Sequence, residues 1–459
     1  MLEREDDMKI TIAGCGRVGR AIARQLVKEH HDIIIVDSSE SNIDYIVNSL
    51  DVLPVQGDAA SAQVLLEAGV DKSDLLIAVT DSDTINLLIC IVAKKIGVEK
   101  TIARIREPNY SQTISLIKED MGLSFVVNPE RDAAKEILGS LMFKGAGQVE
   151  TFAKGSNEVI TFTVKDRNPI AGMPVRNLSK FINRRILICA IKRDDKIFIP
   201  NGNVEIKEND IISFVASRAD AVHFFKKMDY ETGRIKDLTI IGGGKLGYYL
   251  AMMASSNGIR VKLIDPDPTV CRELDDQLPG VEVMCGDGTD LTVLEECEVF
   301  SSSAVAMTTG SDEKNVLVSM YLTKLYPDIK VITKIKKSDF EDMLYGINIG
   351  NVYNPKYIAA DRVISYVRAM SESLGNEVQS LCHVIDNKVE VLEFKIHETS
   401  EYLGIPLQSL KFREHILIAS ITRGNNSFIP GGNDTIELGD TVLVITTDKG
   451  IGRFREIFA

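Results

Sequence analysis

The sequence predicts an α/β protein of two doubly wound parallel sheets, each followed by a small α+β domain. Three observations predict it. Short β-branched runs alternate with amphipathic helical patterns, a glycine-rich turn stands directly behind the first such run, and the whole arrangement is written twice along 459 residues.

In the first part "KITIAG", "DIIIVD", "VLPVQG", "LLIAVT", "TIARIR" and "FVVNP" read as strands. Between them Val18, Ala21, Ile22, Gln25 and Leu26 recur at helical spacing. Strands alternating with helices imply a parallel sheet wound on both faces. The next part reads differently: "VITFTVK" and "DIISFVAS" flank the hairpin candidate "ILICAIKRDDKIFIP", with Asp194 and Asp195 near its turn. A small α+β domain is expected there.

Laid on itself, the chain matches at an offset of 228 to 230 residues. "KITIAGCGRVG" returns as "DLTIIGGGKLG", "IIIVD" as "VKLID", "VQGDAA" as "MCGDGT", and "AVTDSDTIN" as "MTTGSDEKN", so that Asn86 faces Asn315. "FIPNGNVEIKENDIISFVAS" likewise returns as "FIPGGNDTIELGDTVLVITT", which pairs Asp210 with Asp440. The expected parts are 1–140, 150–228, 234–370 and 378–459, joined by the polar, glycine-containing "KGAGQVE", "DYETGRIK" and "SLGNEVQ".

Gly14, Gly16 and Gly19 form a G-x-G-x-x-G spacing between a strand and a helix, and Gly242, Gly244 and Gly247 repeat it. Such a turn brings backbone N–H groups and the positive end of a helix against a pyrophosphate, which makes both large domains Rossmann-like. Asp37 follows Gly14 by 23 residues, and Asp265 follows Gly242 by the same count. A carboxylate there accepts hydrogen bonds from ribose hydroxyls and repels a 2′-phosphate, which favours NAD or an adenine nucleotide over NADP. Asp58 and Asp287 suit either an adenosine pocket or an Asx-turn. Thr80 and Asp81 suit the ligand crevice or a helix cap. Arg104 suits a phosphate contact or an ordinary strand-face position, and Lys334 replaces it in the second copy.

Composition bounds the function. Net charge is −13 without a long basic run, which argues against nucleic acid as a partner. Apolar runs reach seven residues, as in "LLICIVA", where a membrane-spanning helix needs roughly 20. The acidic start "MLEREDDMKI" lacks the pattern of a signal peptide, so a cytoplasmic location is expected. Seven cysteines without C-x-x-C spacing read as reduced, structural thiols. None of the six histidines occupies matching places in the two halves, and metal-ligand, nucleophile-elbow and Walker A patterns are absent from the sequence. No catalytic residue is therefore assigned.

These motifs, in this duplicated order, closely resemble the TrkA family, the cytoplasmic nucleotide-binding subunits of bacterial Trk potassium uptake systems. The resemblance runs from Lys9 onward. It implies tandem RCK (regulator of potassium conductance) domains, each a Rossmann-like part with an RCK C-terminal part. It also implies a homo-oligomer, a tetramer forming a ring, peripheral on the inner membrane face against a TrkH-type potassium channel. NAD(H) or ATP/ADP is the implied regulatory ligand. Carried over by position, its contacts are Gly14, Cys15, Gly16, Arg17, Val18, Asp37, Asp58, Ala59, Thr80, Asp81 and Arg104, and in the second copy Gly242, Gly243, Gly244, Lys245, Leu246 and Asp265. Departures are Glu130 to Lys356, Arg17 to Lys245 and Arg104 to Lys334, which allow the second site a different ligand or affinity. The expected function is a non-catalytic switch. The rivals are an NAD-dependent oxidoreductase with duplicated Rossmann domains and a scaffold whose Rossmann parts only dimerise.

Overall fold

The computed structural model describes residues 8–118, 120–141, 147–152, 157–165, 167–194, 196–228, 235–337, 347–371, 378–385, 388–397, 399–424, 426–449 and 451–459. Much of the three expected joints, and Asp195, lies outside the described residues. The chain forms two compact units.

One unit runs up to Ala133 and includes the segment from Asn354. Its sheet comprises β1 (Lys9–Ala13), β2 (Asp32–Asp37), β3 (Leu53–Gln56), β4 (Leu75–Ala78), β5 (Lys100–Arg104) and β6 (Phe125–Val127). The order is β3-β2-β1-β4-β5-β6, and every pairing is parallel. Central strands carry apolar residues at successive positions because helices cover both faces: Ile12 lies between Ile35 and Ile77, all fully buried. The chain reverses direction across the sheet between β1 and β4, and their carboxyl ends open the crevice where ligands of such sheets bind.

The helix Pro355–Ser371, which follows the second parallel sheet in sequence, belongs to this first unit. It buries Val363, Ile364 and Val367 and joins Glu29 through Arg368 at 2.6 Å. The repeat places this helix in the 234–370 part, whereas in space it completes the first sheet's unit, because its apolar face and its one buried cation find their partners there.

The other unit holds Ala134–Tyr353 and the chain from Val378 on. After the antiparallel strands β7 (Gln148–Phe152), β8 (Asn157–Thr163), β9 (Leu187–Arg193), β10 (Lys196–Phe198) and β11 (Ile211–Ala216) comes the second parallel sheet. Its strands are β12 (Asp237–Ile241), β13 (Arg260–Asp265), β14 (Val281–Cys285), β15 (Ala304–Met307), β16 (Lys330–Lys334) and β17 (Asn351–Tyr353), in the order β14-β13-β12-β15-β16-β17. The last set is β18 (Val378–Val384), β19 (Val389–Lys395), β20 (Ile416–Arg423), β21 (Asn426–Phe428) and β22 (Thr441–Thr446).

The two antiparallel sheets run β10-β9-β11-β8-β7 and β18-β19-β22-β20-β21. Alternate residues of β11 face different cores. Ile212 and Phe214 meet Phe162, Phe224 and Phe225, while Val215 joins Val391, Leu443 and Ile445 from the other sheet. Asp194 has a φ of 53° at the expected hairpin turn. Helices Val175–Ile182 and Arg218–Lys227 complete the first small domain, whereas the described residues of its repeat hold only the short 3₁₀ turns Leu407–Ser409 and Phe454–Ile457. In both copies a buried aspartate takes a two-pronged arginine, Arg193 to Asp210 at 2.8 Å and Arg423 to Asp440 at 2.9 Å.

Candidate nucleotide-binding sites

Each site begins at the turn after the first strand of its sheet. Gly14 has a φ of 105°, and a Cβ on it would meet Thr80 N at 2.8 Å. A Cβ on Gly19 would lie 1.9 Å from the Gly14 carbonyl oxygen, so strand and helix approach too closely for any side chain there. Gly16 differs: its φ is −71°, and nothing lies within 4 Å of where its Cβ would be. The helix Arg17–Lys28 starts there without a side-chain cap and without an acidic residue in its first turn. Its N-terminal N–H groups are thus left uncapped, and the space beside Gly16 is open, as a phosphate group requires. Arg17 is exposed beside that end, and Val18 is buried beneath it.

Asp37 ends β2 and grips this turn. Its carboxylate accepts from the Cys15 N–H at 2.6 Å and, through its other oxygen, from the Ser39 N–H at 2.8 Å and the Asn42 amide at 3.2 Å. Two residues absent from the sequence assignment hold the outer wall. Arg20 donates to the Cys15 carbonyl at 2.8 Å and to Asn42 Oδ1 at 2.6 Å, and its guanidinium lies 4.1 Å from the centre of the Tyr45 ring. The Cys15 side chain is buried, and burial raises its thiol pKa.

Across the crevice, Asn86 ties the ends of β4 and β5 together. It accepts from the Thr80 N–H at 2.8 Å and hydroxyl at 2.6 Å, and donates to the Thr80 and Arg104 carbonyls at 3.2 and 2.9 Å. Its alignment with Asn315 was the sequence signal for this role. Arg104 is 7% exposed and donates to the Thr80 carbonyl and to Asp81 at 3.3 Å, while its Nε has no protein partner. Burial, and then the neighbouring Arg106, lower its pKa. Ser82, rather than Thr80 or Asp81, caps the following helix by accepting from Ile85 N–H at 3.3 Å. Asp58 is exposed and forms an Asx-turn to the Ala60 N–H at 2.9 Å, with Ala59 buried behind it.

The second copy keeps the frame. Gly242 has a φ of 111°, a Cβ on Gly247 would lie 2.1 Å from the Gly242 oxygen, and Gly244 is open where Gly16 is open. Asp265 accepts from the Gly243 N–H at 2.7 Å, and a Cβ on Gly243 would reach Leu274 at 2.5 Å. Lys245 opens the helix Lys245–Ser256, which no side chain caps, and Leu246 is buried below it. Asn315 binds Thr309 and the Lys334 carbonyl as Asn86 does in its own copy.

The far wall changes. Lys334 donates to the Thr308 carbonyl at 2.6 Å, and Gly310 stands where the first copy has Asp81. Lys314 reaches Asp287 at 3.2 Å, and that carboxyl is held below its ordinary range by its hydrogen bonds to Thr289 and then by Lys314. Gly14, Cys15, Gly16, Asp37, Thr80, Asp81 and Arg104 thus stand at the carboxyl ends of β1, β2, β4 and β5, as Gly242, Gly243, Gly244, Asp265 and Lys334 do in the second sheet, while Asp58 is an exposed turn residue after β3. Among the described residues no group of three or more His, Cys, Asp and Glu side chains could hold a metal ion.

Residues 10–129 and 238–355 each match the family described as the TrkA-N domain, and residues 159–229 and 391–459 each match the TrkA-C domain. Among curated relatives, a Trk system potassium uptake protein TrkA homolog of Archaeoglobus fulgidus is 31% identical over 98% of this chain and 100% of its own length. The Trk system potassium uptake protein TrkA of Haemophilus influenzae is 28% identical over 96% of each chain. Among solved structures, the GsuK channel bound to NAD superposes with a TM-score of 0.62 at 17% identity, covering 97% of this chain and 77% of that one. The crystal structure of the GsuK RCK domain gives 0.62 over 97% and 93%. Both are likenesses of fold.

Proposed function

This chain belongs to the TrkA family, and from that premise we propose that it is the nucleotide-binding regulatory subunit of a potassium uptake system. In this reading four working domains, 1–140, 150–228, 234–370 and 378–459, form a tandem RCK chain. Copies of the chain assemble as a ring, a tetramer, on the inner membrane face against a TrkH-type channel. NAD(H) or ATP/ADP fills the crevices and biases the ring geometry, since a ligand shifts such an equilibrium by its differential affinity for the two states.

One observation carries the reading: an uncapped helix end at an unobstructed Gly16, with Asp37 fixed beside it, occurs again at Gly244 and Asp265. The polar groups lining the crevice also suit holding rather than chemistry. Asp37, Asn86 and Arg104 are each spent on backbone groups, which suits a frame and leaves little for moving protons. Relatives named as Trk potassium uptake proteins, and fold neighbours solved with NAD and with ADP, support the choice of system and ligand.

The test has two arms. Titration calorimetry with NAD, NADH, ATP, ADP and AMP is expected to show binding that Asp37→Ala and Asp265→Ala each reduce at one site. Potassium flux through a TrkH-type channel in proteoliposomes is expected to respond to the same nucleotides only when this chain is present. Steady cofactor reduction with alcohols, hydroxy acids or amino acids would instead establish the duplicated oxidoreductase.

A further inference from the structure

We propose that Cys271 and Cys285 form an oxidation site in the second Rossmann-like part, closing to an intramolecular disulfide when the protein meets hydrogen peroxide. This inference is independent of nucleotide binding.

The two thiols converge from different elements. Cys285 ends β14 and stands in register opposite Asp265, the last residue of β13. Cys271 lies on the helix Pro268–Gln277, which packs over those strand ends. Its thiol donates to the Asp265 carbonyl at 3.2 Å and lies 3.8 Å from the Met284 carbonyl, in the residue just before Cys285. The Cys285 thiol lies 4.0 Å from the Pro266 carbonyl, one residue beyond Asp265. Both sulfurs thus reach the same short piece of backbone, that of Asp265 and Pro266.

Their exposures set the order of events. Cys285 is exposed, whereas the other six cysteines are buried or half-buried, Cys271 at 8%. Burial, and then the Cys285 thiol beside it, push the Cys271 thiol up to about 11, so exposed Cys285 is the sulfur that peroxide reaches first. Its sulfur attacks one peroxide oxygen, the O–O bond breaks, hydroxide leaves, and a sulfenic acid forms. The Cys271 sulfur then attacks that sulfur; the S–S bond forms, the S–O bond breaks, and the hydroxyl leaves as water with the Cys271 proton. Two thiols and one peroxide become one disulfide and two waters. The Asp265 carbonyl keeps the Gly286 N–H at 3.0 Å, so the loss of the thiol donor leaves no orphan acceptor.

The first copy lacks this chemistry. Gln56 stands opposite Asp37 where Cys285 stands opposite Asp265, and Ile43 takes the place of Cys271. Oxidation therefore marks one of the two repeats only.

The full chain is treated with hydrogen peroxide, digested without reductant and mapped by mass spectrometry. A peptide joining Cys271 to Cys285, lighter by two hydrogens and released by dithiothreitol, is expected, and Cys382→Ser leaves it unchanged. Cys285→Ser is expected to abolish the link with Cys271 unmodified, and Cys271→Ser to leave a sulfenic acid at Cys285 that dimedone captures. If Cys285 of the unmutated chain goes to sulfinic acid, or links to another chain while Cys271 stays a free thiol, the proposal fails, whatever the variants do.

Discussion

A single methyl group separates the roles of the glycines in the first loop. In Gly14→Ala the added Cβ meets Thr80 N at 2.8 Å in a backbone with φ of 105°, and such strain and overpacking together cost about 2–5 kcal/mol. In Gly16→Ala the Cβ meets nothing, so stability is expected to change by no more than about 0.5 kcal/mol. The same methyl stands where a pyrophosphate must approach, and the stabilisation that NAD or ADP confers in a thermal-shift assay is expected to fall at least tenfold in apparent affinity. If Gly16→Ala binds like the unmutated chain, the helix end is not the phosphate site. The glycine spacing and Asp37 were legible in sequence because a tight turn and a fixed strand-to-strand distance dictate both. Arg20 and Asn42 were not, because they work through a backbone carbonyl and side chains 5 to 22 residues away and look like any polar helix residue in the pattern, whereas Asn86 was marked only by its alignment with Asn315.

At the scale of elements, two buried cationic side chains tie a helix and a strand to neighbours that the repeat alone does not reveal. Arg368, on the helix Pro355–Ser371, is 2% exposed at its side chain and meets Glu29 at 8%. Arg368→Met strands that carboxylate and is expected to cost about 3–5 kcal/mol in urea unfolding, while adding Glu29→Leu recovers most of the loss. Burial raises the Glu29 pKa, but the Arg368 charge and hydrogen bond outweigh it, and the net shift is downward from 4.5. The pair's contribution is therefore fully present above pH 4.5 and disappears as pH falls through the lower folded value, and Arg368→Met is expected to flatten this acid limb. Lys330, at the start of β16, is the opposite case. Burial lowers it to about 7, and it donates to the Ser140 carbonyl at 2.6 Å. Its unfolded form holds the proton up to about 10.5, so stability is expected to rise between pH 7 and 10 and to lose that slope in Lys330→Met. Hydrophobic periodicity revealed that these helices and strands exist. It was silent on what they cover, since an apolar stripe names no partner.

For the whole molecule, duplication was legible because two copies of one fold must repeat their turns and strand ends in order. The shared core of the two antiparallel sheets was harder to read, although β11, with both its odd and even residues buried, carries the mark of a strand covered on two sides. The repeat also hides an electrostatic divergence. The first copy has Asp81, Arg104, Arg106 and Glu107 at or just beyond the ends of β4 and β5, whereas the second replaces those carboxylates with Gly310 and Lys337 and adds Lys314 to Lys334 and Lys336. Lys314 and Lys337 are partly offset by Asp287 and Glu313, yet the balance at the second crevice is clearly more positive. Two unit charges some 8 Å apart in water interact by about 0.5 kcal/mol, so several such changes favour a ligand with more negative charge. A nucleoside triphosphate carries more than a dinucleotide. In calorimetry, Asp37→Ala, which leaves the second site, is therefore expected to bind ATP more tightly than NAD. That preference is expected to shrink as salt rises toward 0.5 M, where screening confines charges to about 4 Å. Asp265→Ala, which leaves the first site, is expected to show a smaller ATP preference and a weaker salt dependence. Equal preferences in the two variants would mean that the lysines of the second crevice face away from the phosphates, and that the asymmetry between copies does not extend to ligand choice.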